Sequence, residues 1–156
     1  MKIERVVLVT DDGEEDIFLF ERLLKKAGVG NPIRSALSGD AAIARLSSVA
    51  EGSSDEVLLV CFLDIKMPGT NGFDVLRWVR RRQEFDSVPV IMLSSSDDPA
   101  DIAKAAKLGA DCYLTKHPAP AVMRDVLGAV EKFSGQPKGR EKEVFDAAFN
   151  LLARRS

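Results

Sequence analysis

Five short apolar runs, each followed by a segment of helical period, constrain this chain more than any other feature. Val6–Val9, Pro32–Leu37, Val57–Leu63, Val88–Leu93 and Cys112–Leu114 read as strands. Between them apolar residues return every three or four positions. Ile17, Phe20, Leu23, Leu24 and Ala27 mark a first helix over 14–27, and Ala42, Ile43, Leu46 and Val49 a second. Val75, Leu76 and Val79 mark a third opened near Phe73, Pro99–Leu108 a fourth and Ala119–Phe133 a fifth. Gly28 and Gly109 stand where the first and fourth helices should stop. A helix between successive strands is the crossover that parallel pairing requires. The pattern therefore predicts an α/β domain: a doubly wound five-stranded parallel sheet with helices on both faces. The unbroken apolar character of the strands agrees, because parallel strands are covered on both sides.

The chain has 156 residues, room for one domain with a sizeable core and little else. Its net charge of −2 gives no general attraction to nucleic acid or acidic membranes. No apolar run approaches the roughly 20 residues that span a bilayer, and MKIERVV lacks the architecture of a signal peptide. Two cysteines, Cys61 and Cys112, make no disulfide framework, so the expectation is a reduced cytoplasmic protein.

The stretch CFLDIKMPGTNG raises the functional question, because the buried run Val57–Leu63 ends in a carboxylate, Asp64. In doubly wound sheets the site lies beyond the carboxyl ends of the strands. Asp11 and Asp12 follow the first strand, Asp64 the third, Ser94–Ser96 the fourth, and Thr115 and Lys116 the fifth. Three carboxylates, a hydroxyl cluster and one lysine are thus expected on one edge. Capping of the first helix would account for Asp11 and Asp12 alone, and turn chemistry for Asp64 alone. Neither accounts for the set. Carboxylates this close repel unless a cation neutralises them, and an all-oxygen donor set on short loops suits Mg²⁺. With its charge shielded, an aspartate can attack phosphorus and become an acyl phosphate. Lysine and a hydroxyl then suit the phosphoryl oxygens. No GxGxxG or GxxxxGK[ST] pattern follows the first strand, which argues against a nucleotide site.

LVTDDGEEDIFLFERLLKKAGV, LDIKMPGTNGFDVLRWVR and VPVIMLSSSDDPADIAKAAKLGADCYLTK together resemble the receiver domain of two-component response regulators, over roughly residues 4–133. The texture is closest to single-domain regulators paired with bacterial phytochromes. The resemblance implies a flavodoxin-like strand order 2-1-3-4-5 and assigns roles. Asp64 becomes the phosphoacceptor. Asp12 binds Mg²⁺ directly, Asp11 largely through water, and the Lys66 backbone carbonyl completes the protein ligands. Ser94 takes the switch hydroxyl position, Tyr113 the aromatic switch position, and Lys116 pairs with the acyl phosphate. The implied partners are a histidine kinase, phytochrome-type kinases among them, or a phosphotransfer protein, and then a downstream protein target.

The family usually has a proline directly after this lysine, with a cis peptide, whereas here the order is Lys116-His117-Pro118. A non-proline cis bond costs about 2.5–4 kcal/mol. Three outcomes stay open: a trans Lys116–His117 bond with a remodelled loop, a tolerated strained bond, or a cis bond moved to His117–Pro118. His117, the only histidine, reads as a solvated loop residue, since the phosphodonor histidine lies on another protein. Two other functions compete. A Mg²⁺-dependent phosphohydrolase would carry a second aspartate two residues after its nucleophile, where this chain has Lys66. A degenerate receiver acting as a binding module would not need the intact set. Residues 1–134 are expected to form the receiver and 135–156 a linker with an extra amphipathic helix. Its stripe of Val144, Phe145, Ala148, Phe149, Leu151 and Leu152 suggests a homodimer contact.

Overall fold

The strands form where β-branched and other apolar residues run unbroken, and they are buried as such runs require. In the computed structural model, which describes residues 3–133, Val6, Val7, Leu8 and Val9 are almost wholly buried. They belong to β1 (Glu4–Thr10), followed by α1 (Glu14–Lys26), β2 (Ile33–Ala36), α2 (Gly39–Ala50), β3 (Glu56–Asp64) and α3 (Gly72–Arg80). A short 3₁₀ turn at Gln83–Phe85, not expected from the periodicity, leads to β4 (Val90–Ser94), α4 (Pro99–Lys107), β5 (Cys112–Thr115) and α5 (Pro120–Phe133). The proposed C-terminal helix lies outside the described residues.

All neighbouring strands pair in parallel, in the order β2-β1-β3-β4-β5. The expected sheet and strand order are therefore present. The core runs through both faces of the sheet, with α1 packed against α5 and α2 against α3. Phe20 of α1 meets Phe62 of β3 edge to face, with centroids 4.8 Å apart. Burying a large apolar side chain in this way contributes about 1.5–3 kcal/mol.

Local chemistry ends and starts the helices at both edges of the sheet. Gly28 and Gly109 stand just past α1 and α4 at φ 99° and 98°, in the left-handed region that glycine occupies without penalty. Asn71 and Asp74 form a reciprocal capping box at the start of α3, with both hydrogen bonds 3.0 Å long. Asp98 caps α4 through the Ala100 N–H at 2.9 Å. Gly72 is required for another reason: a Cβ there would lie 2.3 Å from the Asp64 carbonyl oxygen. Only glycine lets α3 start so close to the end of β3. No helix among the described residues is long and apolar enough to cross a membrane.

Candidate functional site

The reversal of strand order occurs between β1 and β3, which lead to neighbours on opposite sides. Their carboxyl ends carry Asp11, Asp12 and Asp64. One carboxylate oxygen from each lies within 4.8 Å of the others. Asp11 and Asp64 are buried, while Asp12 is exposed. Capping does not explain the first two: the N-cap of α1 is Gly13, and no side chain caps that helix. Instead Asp11 Oδ1 accepts a 2.9 Å hydrogen bond from the Gly13 N–H, which turns the β1–α1 loop back over the site.

Lys116 enters from the end of β5. Its Nζ lies 3.0 Å from Asp11 Oδ2, 3.1 Å from Asp16 Oδ2 and 3.3 Å from Asp64 Oδ2. The backbone positions it: the Lys116 N–H donates to the Ser94 carbonyl at 2.7 Å, extending the β4–β5 ladder. Ser94 itself is buried at the end of β4, and its Oγ accepts from the Ser96 N–H at 3.1 Å. Tyr113 is buried on β5, and its hydroxyl donates to the Ser96 carbonyl at 2.7 Å. Lys66 lies two residues beyond Asp64 with an exposed side chain. The structure thus brings Asp11, Asp12, Asp64 and Lys116 together from three separate loops, with Ser94 at the same edge of the sheet at the end of β4.

The peptide bonds of the described residues are all trans, and His117 carries φ 59°. The first of the three outcomes holds: the chain turns at His117 through the left-handed region, not through a cis bond. A non-glycine residue there costs about 1–2 kcal/mol, less for histidine than for branched residues. His117 is largely exposed, as expected, with its Nε2 3.7 Å from Asp16 Oδ1.

The electrostatics are those of a site short of positive charge. Burial, and then repulsion from Asp11, push the Asp64 carboxyl up from 3.8 to about 6, against the opposing pull of Lys116 and the Lys66 backbone. Burial would push the Lys116 amine down. Its hydrogen bonds to Asp11 and Asp16 and the field of Asp64 outweigh that and hold it above the usual lysine range. Tyr113 is pushed up by burial, with the Ser94 contact opposing and the carboxylates of Asp101, Asp98 and Asp97 adding. Three carboxylates, those of Asp11, Asp16 and Asp64, therefore face one ammonium, and Asp12 joins Asp11 and Asp64 in offering converging oxygens. That donor set fits a hard divalent cation such as Mg²⁺. Asp16 was not anticipated. It sits in the first turn of α1, where a carboxylate usually serves the helix dipole, so spacing alone did not mark it.

The family model for the response regulator receiver domain matches residues 7–127. The transcriptional regulatory protein GltR of Pseudomonas aeruginosa is 32% identical over 127 residues, 81% of this chain and 48% of its own length. The chain thus spans about half the length of that relative. Protein PilG of the same organism is 35% identical over 125 residues, 80% of this chain and 84% of its own. Among solved structures, the bacteriophytochrome response regulator AtBRR is similar with a TM-score of 0.68 at 25% identity, over 83% of this chain and 92% of that one. Fold, residue pattern and these likenesses agree, and the chain belongs to the response regulator receiver domain family of two-component signalling.

Proposed function

We propose that this receiver accepts a phosphoryl group on Asp64 from the phosphohistidine of a histidine kinase or phosphotransfer protein, and signals by the surface change that follows. The observation carrying this reading is the gathering of Asp11, Asp12 and Asp64 around one point, with Lys116 in contact with Asp64. An Asp64 carboxylate oxygen attacks phosphorus. The P–N bond to the imidazole breaks, and the leaving nitrogen keeps the electron pair and gains a proton. Mg²⁺, held by Asp11, Asp12, Asp64 and the Lys66 carbonyl, would supply the positive charge that lets two anions meet. Lys116 neutralises one phosphoryl oxygen. The Ser94 hydroxyl, held by the Ser96 N–H, swings to donate to another. Tyr113, whose hydroxyl is tied to the same Ser96, reorients with it, and the face of α4, β5 and α5 changes. A modification of about −1.5 to −2 charge is enough to bias such a bistable element.

The likeness to AtBRR supports a bacteriophytochrome-type kinase as donor. The reading extends to a cytoplasmic protein whose receiver spans 1–134 and whose residues 135–156 meet a second copy, with a protein target downstream. Lys66, at the place a phosphohydrolase would use for its general acid, supports a phosphoacceptor without multiple turnover. Incubation with acetyl phosphate and Mg²⁺, read by intact mass, tests it. A single phosphoryl adduct, absent in Asp64→Asn, is expected. An adduct that persists in that variant, or none in the wild type, would overturn the assignment.

A further inference from the structure

The scheme above gives Asp16 no task, yet its carboxylate reaches the centre of the site. It comes from the first turn of α1, and its Oδ2 accepts a 3.1 Å hydrogen bond from Lys116 Nζ. Room for it is built into the loop: a Cβ on Gly13 would lie 3.3 Å from Asp16 Oδ2, closer than ordinary contact. Its other oxygen faces the His117 ring at 3.7 Å, so α1 grips the β5–α5 loop at two consecutive residues.

An ammonium has three N–H groups, and Lys116 faces three carboxylates. Their distances rank Asp11 at 3.0 Å, Asp16 at 3.1 Å and Asp64 at 3.3 Å. The amine thus sits nearer the two residues of the β1–α1 segment than the acceptor. Asp11 has a competing claim on its oxygens from the cation, and Asp64 from the phosphoryl group. Asp16 stands outside the three-carboxylate cluster and has neither claim.

We propose that Asp16 is a positioning residue that holds the Lys116 ammonium on the α1 side of the site, so that a phosphoryl group on Asp64 must draw the lysine away from it. The proposal rests on the reading of Asp64 as phosphoacceptor. Asp16 thereby weakens the phosphorylated state, and it does so through Lys116 and not by direct repulsion alone.

Beryllofluoride with Mg²⁺ serves as the phosphoryl probe, with affinity read by titration. Asp16→Asn keeps the side chain's shape and tightens binding about three- to tenfold, the range expected for releasing one partly exposed ion pair. In a Lys116→Met background the same substitution changes binding less than twofold. Glu14→Gln, which removes an exposed charge from the same helix turn, changes nothing in either background. Mg²⁺ affinity without beryllofluoride stays within twofold in Asp16→Asn. Unchanged or weaker probe binding in Asp16→Asn overturns the proposal. So does an equal gain without Lys116, which would make the effect plain repulsion, or a marked change in Mg²⁺ affinity, which would make Asp16 part of the metal site. A wild-type chain that binds no beryllofluoride and takes no phosphoryl from acetyl phosphate overturns the phosphoacceptor reading first, and the role of Asp16 with it.

Discussion

Two ion clusters, one buried and one partly buried, stand at opposite edges of the same sheet, and they are built to opposite rules. At the amino-terminal edge, Arg80 of α3 donates from Nε to the Gly109 carbonyl at 2.8 Å and from Nη1 to the Phe85 carbonyl at 3.0 Å. Its Nη2 donates to the Val88 carbonyl at 3.0 Å and to Asp111 Oδ2 at 2.7 Å. Asp111 also accepts the Val90 N–H at 2.8 Å. Both side chains are nearly excluded from water, at 11% and 6% exposure. One positive charge meets one negative charge, and the rest of the guanidinium fork is spent on the loop carbonyls of Gly109, Phe85 and Val88. At the carboxyl-terminal edge, three carboxylates share one lysine and a fourth, Asp12, lies beside two of them. Neutral and satisfied, the lower cluster clamps the starts of β4 and β5 to α3. Short of positive charge, the upper cluster raises the Asp64 carboxyl to about 6 and suits a cation. Burial of charge is common to both, and the balance of charge separates structural scaffold from site.

The largest expected effect falls on the clamp. Arg80→Ala leaves Asp111 buried without its guanidinium and should destabilise the protein by about 3–5 kcal/mol, read from the denaturant midpoint at constant slope. A loss under 1 kcal/mol would mean the lower cluster is not structural, and the comparison would collapse. The upper cluster should respond with the opposite sign. With its folded value near 6 against 3.8 for the free group, Asp64 holds more protons folded than unfolded between those pH values. Stability of the metal-free protein therefore falls as pH rises from about 4 to about 6 through this group, and the cost is fully present above that. Asp64→Asn should remove this portion of the pH profile. It should stabilise the metal-free protein at pH 7.5 by about 1–2 kcal/mol, after allowance for solvent screening. A destabilised variant would show that Asp64 is held as a satisfied ion, like Asp111.

Mg²⁺ sharpens the same contrast. At ten times its dissociation constant it should raise stability by about 1.4 kcal/mol, read as a shift in thermal midpoint. Asp12→Ala should abolish most of that shift, whereas Arg80→Lys should lower the midpoint and leave the shift in place. The smallest effect belongs to the remodelled loop. His117→Gly relieves the backbone at φ 59° and should stabilise by no more than about 1 kcal/mol, part of which the freer unfolded chain takes back. A clear destabilisation would mean that the His117–Asp16 contact outweighs the backbone strain.

Much of this arrangement was legible in the sequence because it depends on period and position. Unbroken runs such as Val57–Leu63 name the central strands, and the residues just past them must share an edge once the strands are parallel. Asp11, Asp12, Asp64, Ser94 and Lys116 follow from that alone. Asp16 was not legible. In the sequence it is one of three acidic residues opening α1, and only the path of the β1–α1 loop over a bare Gly13 brings it to Lys116 rather than to solvent. Arg80 and Asp111 were likewise invisible, separated by thirty-one positions and set in segments that read as ordinary helix and loop.

The parallel sheet, the edge that carries the chemistry and the identity of its acidic and basic groups were determined by the amino-acid sequence itself, because hydrophobic period and parallel crossovers leave few architectures open; the strand order followed from the family resemblance. Which carboxylates share the lysine, how far each lies from it and how the chain turns at His117 were decided only by the tertiary structure. Those depend on differences of a few tenths of an ångström and on one backbone dihedral, quantities that arise when loops from distant parts of the chain are packed against one another.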